Sequence, residues 1–180
     1  PAIGGVGIIE DYSAMMTPKL APHMQLFCVG SAAADLGQSV WLDVVHGRKE
    51  GTPPATDLAE ARKTGEFIRT LIAEGGASAV HDVSDGGILV ALAEMALASD
   101  TGIKLGRVQD AGYWFAEHQG CYIVACADTS LQSRAAEAGV ACDQLGTTQA
   151  EAEIVADGWN VSLANLREAH ESFFREWMES

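Results

Sequence analysis

Short apolar runs alternate with amphipathic stretches along all 180 residues, and the period of each run predicts its element. Ile3 to Ile9 reads as a glycine-punctuated strand, followed by a loop through Thr17-Pro18 and Ala21-Pro22. Met24 to Gly30 and Val40 to Val45 read as two strands joined around Ala33-Ala34-Asp35-Leu36-Gly37, and Val45 to Pro54 as the most loop-like stretch. Asp57, with Glu60 three residues on, starts a helix that places Leu58, Ala61, Ile68 and Ile72 on one face and stops at Gly75-Gly76. Ser78 to Val83 is a short strand. Gly87 to Ser99 is a second helix, with Ile88, Leu92, Met95 and Ser99 in register. Gly120 to Ala127 is a strongly apolar strand, Leu131 to Ala138 a helix, and Ala141 to Thr147 and Ala152 to Ala156 strands. A last helix runs from about Ser162, with Leu163, Leu166, His170, Phe173 and Trp177 on its inner face. The interleaving predicts an α+β fold in α/β layers, a mixed β-sheet flanked by helices.

Composition narrows the function. With 48% hydrophobic and 20% charged residues, the chain buries a sizeable core, and its length fits a single domain over residues 1–180. Eleven basic against 25 acidic residues give 11 − 25 = −14, which argues against a nucleic-acid partner and against an anionic membrane surface. The densest apolar stretch, Ile88 to Ala98, is interrupted by Glu94 and falls short of a membrane span. Cys28, Cys121, Cys126 and Cys142 form no C-x-x-C pair and read as buried, reduced thiols of a cytoplasmic protein. His23, His46, His81, His118 and His170 lack metal-ligand spacing, so no metal site is expected. Phe67, Trp114, Trp159, Phe173 and Trp177 read as core or interface residues. The chain starts at Pro1 without Met or a charged-then-apolar leader, from which a piece of something longer is expected.

The chemistry concentrates in Val80-His81-Asp82-Val83-Ser84-Asp85-Gly86-Gly87-Ile88, a strand, an acidic turn with two glycines and a helix start. Glycines there admit a ligand close to the backbone, and a helix N-terminus offers N–H groups to a phosphate. Asp82 and Asp85 would repel that phosphate unless Mg²⁺ bridges them or they serve hydroxyls or the helix cap. The plainer alternative makes Asp85 an N-cap and the glycines a tight turn. Both stay open on the residues alone.

The segments Pro1 to Asp11, His81 to Gly87, Ala91 to Ala96 and Phe115-Ala116-Glu117-His118-Gln119-Gly120-Cys121-Tyr122 together resemble the phosphoribosylformylglycinamidine (FGAM) synthases. The likeness is to the last domain of their large synthetase chain, in the superfamily of aminoimidazole ribonucleotide synthetase. Asp-Val-Ser-Asp-Gly-Gly resembles the turn of the second of the two fused halves of such chains. The resemblance implies the fold of the aminoimidazole ribonucleotide synthetase C-terminal domain, and a parent ligase that converts formylglycinamide ribonucleotide, ATP and glutamine-derived ammonia to FGAM. It implies ATP and Mg²⁺ as cofactors of the parent, with none tightly held by this chain alone. Implied partners are the preceding domains of the same chain, a glutaminase subunit and a small accessory subunit, with residues 1–11 as the junction strand.

By the same resemblance no catalytic residue lies in these 180 positions, and the isolated chain is expected to be inactive. The expected cofactor-binding residues are Ser84, Asp85, Gly86 and Gly87 of the turn, with Glu117 and Gln119 of the E-x-Q element. Ala116 stands where the family has Gly, and Cys121 where it has Arg, which removes a cation that could meet phosphate. Read from residues alone, Glu117 and Gln119 are equally well a polar pair at a strand edge. The alternative reading of the whole chain is a non-catalytic nucleotide-binding or scaffolding module of another superfamily member.

Overall fold

The computed structural model describes residues 4–12, 15–32, 35–106 and 109–179. Its elements are β1 (Gln25–Val29), α1 (Val40–His46), α2 (Leu58–Ala73), β2 (Ala79–Asp82), α3 (Gly87–Ser99), β3 (Gly102–Leu105), α4 (Ala111–Phe115), β4 (Tyr122–Cys126), α5 (Leu131–Glu137), β5 (Cys142–Gln149), β6 (Glu153–Ala156), β7 (Trp159–Ser162) and α6 (Leu163–Glu179). The strands form a seven-stranded sheet in the order β2-β4-β1-β5-β3-β6-β7. Every pairing is antiparallel except β3 with β6, so the sheet is mixed and the class is α+β, as the sequence predicts.

The central strand explains the layering. In β1, Leu26 and Cys28 point to one side while Phe27 and Val29 point to the other, and all four are buried. A strand buried on both faces reads as a continuous apolar run rather than an alternation. On the first side α3 packs Ile88, Leu92 and Met95 with Ile103, Ile123 and Leu163. On the second, Ile68 and Leu71 of α2 and Leu131 and Ala135 of α5 pack on Phe27, Val29 and Val124. Helices therefore cover both faces around β1 and β4.

Three expectations are corrected. Val40 to Val45 is a helix, not a strand, despite its β-branched residues. Both edges of β1 are taken by β4 and β5, so no edge remains for a hairpin partner. The local signals also favour α1: Ser39 caps it through a 3.2 Å bond from the Leu42 N–H, and Gly47 closes it at φ 64°. Gly4 to Ile9 forms no strand and its Val6 and Ile8 side chains are exposed, because nothing in the described sheet pairs with it (Ile3 lies outside the described residues). In α2 the buried face is Thr64, Ile68 and Leu71, whereas Leu58 is 79% exposed. Asp57 does cap this helix, accepting from the Ala59 and Glu60 N–H groups.

The last helix departs in the same direction. Leu163 is buried and Leu166 half-buried, but His170, Phe173 and Trp177 are exposed. Trp114 is core and Trp159 is exposed. Among the described residues no helix is long and apolar enough to cross a membrane. Strands β3 and β7 and the one-turn α4 carry no period long enough to be read in advance.

The packing gives a quantitative expectation. Leu92→Ala should cost about 2–5 kcal/mol in denaturant unfolding, since Leu92 is wholly buried between α3 and the sheet. Leu58→Ala should stay within about 0.5 kcal/mol, as for other surface positions. Equal losses at the two positions would contradict the placement of α2.

Candidate functional site

The turn after β2 is where the chain brings its distant segments together. Val83 extends β2 by donating to the Cys121 carbonyl at 2.9 Å, which anchors the turn beside the segment that carries Glu117. Ser84 and Asp85 are exposed at the turn's tip, and Ser84 Oγ donates to Asp82 Oδ2 at 3.2 Å. Gly86 and Gly87 are buried with φ of 80° and 74°, a left-handed region open to glycine at little cost. Gly86, not Asp85, is the N-cap of α3, and no side chain of its own caps the helix.

Glu117 supplies the missing acceptor. Its Oε1 accepts the Gly86 N–H at 3.0 Å, at the N-terminus of α3, and the Val40 N–H at 2.7 Å, at the N-terminus of α1. A carboxylate there meets both the unpaired N–H groups and the positive end of the helix dipole. The two glycine N–H groups that could have been offered to a phosphate are thus already engaged: Gly86 donates to Glu117, and Gly87 donates to the Ser84 carbonyl at 3.1 Å. The absent side chain of Gly87 serves packing as well. A Cβ there would lie 2.7 Å from the Trp114 carbonyl oxygen and 2.8 Å from the Phe115 backbone, so glycine lets α4 close against α3.

Around this carboxylate, α1 is fastened by aromatic contact. Trp41 stacks on Phe115 with centroids 6.0 Å apart and planes at 25°, and His46 meets the Trp41 edge at 4.6 Å. Thus Glu117, Gly86 and Gly87 converge, with Ser84 and Asp85 accessible beside them. Gln119 does not join them. It is exposed and lines a separate cavity of about 40 Å³ with Ser31, Asp57, Glu60, His118 and Gly120, where Ser31 Oγ donates to Glu60. His118 Nδ1 is buried without a protein partner. A polar depression of about 660 Å³ formed by Lys104, Gln132, Gln144, Thr147 and neighbours contains none of the expected residues.

Reading the sequence missed two participants. The helix start at Val40 could have been found from Ser39 and Gly47, a cap pair eight positions apart. The second is His81, whose ring nitrogens lie 3.2 Å from Asp82 Oδ1 and 3.1 Å from Glu94 Oε2, tying β2 to α3. No group of three His, Cys, Asp or Glu side chains among the described residues is placed to hold an ion. Burial pushes the Cys142 thiol up to about 12, with Asp143 adding to it, so that sulfur stays protonated at neutral pH.

The family follows from comparison. Residues 21–158 match the family described as AIR synthase related protein, C-terminal domain, a span that includes the turn and Glu117. This chain belongs to that family. Its curated relatives include the phosphoribosylformylglycinamidine synthase subunit PurL of Acidiphilium cryptum, 43% identical over 98% of this chain and 25% of the relative. The subunit of the same name from Erythrobacter litoralis is 45% identical over 99% of this chain and 26% of the relative. The chain thus spans about a quarter of the length of the curated relatives it matches. Among solved structures, Thermotoga maritima PurL complexed with ATP superposes with a TM-score of 0.68 at 14% identity, covering 86% of this chain and 27% of that one. The hydrogenase maturation protein HypE superposes at 0.56 and 15% identity, covering 81% and 54%. Both likenesses show the fold.

The site generates its own test. Glu117→Ala leaves the Gly86 and Val40 N–H groups without their acceptor and should cost about 2 kcal/mol or more in unfolding free energy. Glu117→Gln keeps an oxygen acceptor but loses the charge, and should recover roughly half of that loss. Equal stability of all three proteins would remove Glu117 from its assigned place.

Proposed function

We propose that this chain is the C-terminal domain of the large subunit of a phosphoribosylformylglycinamidine synthase, the ligase that forms FGAM from formylglycinamide ribonucleotide, ATP and glutamine-derived ammonia in the cytoplasm. The observation that carries the reading is identity above 40% to subunits of that name across nearly the whole chain. It is preferred to a module of another superfamily member because that identity is high, whereas the likeness to HypE, at 15% identity, is one of fold alone.

On this reading the 180 residues perform no catalytic step. They contribute one wall of a nucleotide or phosphate site: Ser84 and Asp85 at an accessible tip, Gly86 and Gly87 behind them, and Glu117 on the neighbouring segment, with Gln119 outside that wall in its own small cavity. The opposite wall belongs to preceding domains of the same polypeptide. The support for a nucleotide is that solved PurL structures were obtained with ATP and with ADP. Glu117 already satisfies the Gly86 N–H, so this wall alone holds an anion weakly. Exposed Val6, Ile8 and Ile9 form the junction that a preceding domain covers. The glutaminase and small accessory subunits join through the assembled enzyme, a reading supported by the solved PurLQS complex of T. maritima.

Replacing the matching quarter of the Acidiphilium cryptum relative with this chain should yield a folded protein that restores growth without purines to a strain lacking FGAM synthase. The chain by itself should show no turnover with formylglycinamide ribonucleotide, Mg–ATP and ammonia, and no Mg–ADP affinity tighter than about 1 mM in calorimetry. A folded chimera that fails to complement would contradict the functional assignment. Micromolar ADP binding by the chain alone would contradict the divided site.

A further inference from the structure

Cys28 and Cys121 stand apart from the chemistry considered so far. Their Sγ atoms lie 2.9 Å apart, well inside the ordinary contact distance of two sulfurs, and both residues are free and buried. The closeness is built by the sheet. Cys28 pairs with Ile123 across β1 and β4, so Cys121, two residues back, projects to the same face. Gly30, at φ 109°, lets the chain approach, since a Cβ there would sit 2.6 Å from the Gly120 carbonyl oxygen and 3.1 Å from the Cys121 Cα. Both residues belong to the apolar core on this side of the sheet, and each thiol has the other as its hydrogen-bond partner, while Asp143 pairs with Cys28 from β5.

We propose that Cys28 and Cys121 are an oxidation site, a thiol pair that a hydroperoxide converts to an intramolecular disulfide. One sulfur, as thiolate, attacks the peroxide oxygen; the O–O bond breaks, the alcohol or water leaves, and a sulfenic acid remains. The second sulfur then attacks the first, the S–S bond forms, the S–O bond breaks, and hydroxide leaves with the second thiol's proton as water. The two sulfurs together lose two electrons and the peroxide gains two. The hydrogen bond with Cys121, and then burial, hold the Cys28 thiol well above its ordinary range, so the reaction is slow and waits on local opening.

The consequence reaches the turn. The Cys121 carbonyl accepts the Val83 N–H, and Glu117 lies four residues before Cys121. A covalent tie at Cys121 would fix the root of both segments that meet at Gly86. Cys126 and Cys142 provide internal controls: Cys126 Sγ donates to the Asp128 carbonyl at 3.1 Å, and among the described residues neither sulfur makes a hydrogen bond to another thiol.

The folded protein is exposed to hydrogen peroxide, quenched with N-ethylmaleimide in denaturant and digested without reduction for mass spectrometry. The expected product is lighter than the reduced protein by two hydrogens and carries a Cys28–Cys121 linked peptide, with Cys126 and Cys142 alkylated. Its melting temperature should rise by more than about 5 °C, because the bond joins residues 93 positions apart, and should return on reduction. Cys28→Ala and Cys121→Ala, each checked by circular dichroism and by core Leu92→Ala as a packing control, should both abolish the link. Linkage of any other pair, linkage only in denatured protein, or over-oxidation of either sulfur without linkage would overturn the proposal.

Discussion

A single carboxylate oxygen holds the candidate site of this molecule together. Glu117 Oε1 accepts from Gly86 at the start of α3 and from Val40 at the start of α1, segments 31 and 77 residues away in sequence. Helix N-termini attract anions, and most proteins that display one at a glycine turn leave it for a ligand or cap it with a neighbouring side chain. Here the cap arrives from a remote segment. The arrangement accounts for the conformation of Gly86, the position of α1 against Phe115 and the meeting of Trp41 with that ring. It also brings a third carboxylate to a turn that already carries Asp82 and Asp85, in a chain of net charge −14. The local N–H groups set the preference there, while more distant charges are screened over about 8 Å at physiological salt.

Charge and packing divide the work. The sheet and its two apolar layers are stabilised by burial on both faces of β1 and β4, with no polar side chain of the turn taking part. The turn contributes little to that core but depends on it for placement, because β2 and β4 fix the Val83 to Cys121 hydrogen bond. Glycine is needed at position 87 for a reason of packing as well as conformation. An assignment of ligand contact to every residue of the turn would therefore overstate what its glycines do.

Most of the layered core was legible in the sequence. The helix from Gly87 to Ser99 carries its period in Ile88, Leu92 and Met95, and the strand around Ile123 is apolar without interruption. Asp57 and Gly75-Gly76 punctuate α2 by cap chemistry that is local and readable. Misreadings fell where tertiary context overrides propensity. Val40, Val44 and Val45 have strand-forming side chains but no free edge to join, and the capping pair decides for a helix. Leu58, Phe173 and Trp177 follow helical spacing yet face outward, because period shows which residues share a face and not what that face meets. Gly102 to Leu105 and Trp159 to Ser162 are too short to show a period. The link from Glu117 to Val40 is invisible in sequence for a different reason: nothing local at either residue records a hydrogen bond made across 77 positions.

The central claim is that one carboxylate couples two helix starts, and amide hydrogen exchange observed by NMR reads it directly. The Gly86 and Val40 amides should both be protected in the native protein, and both should lose protection together in Glu117→Ala while the amides of β1 and β4 keep theirs. A Val40 amide that exchanges at the rate of an unstructured chain, with Gly86 still protected, would contradict the account.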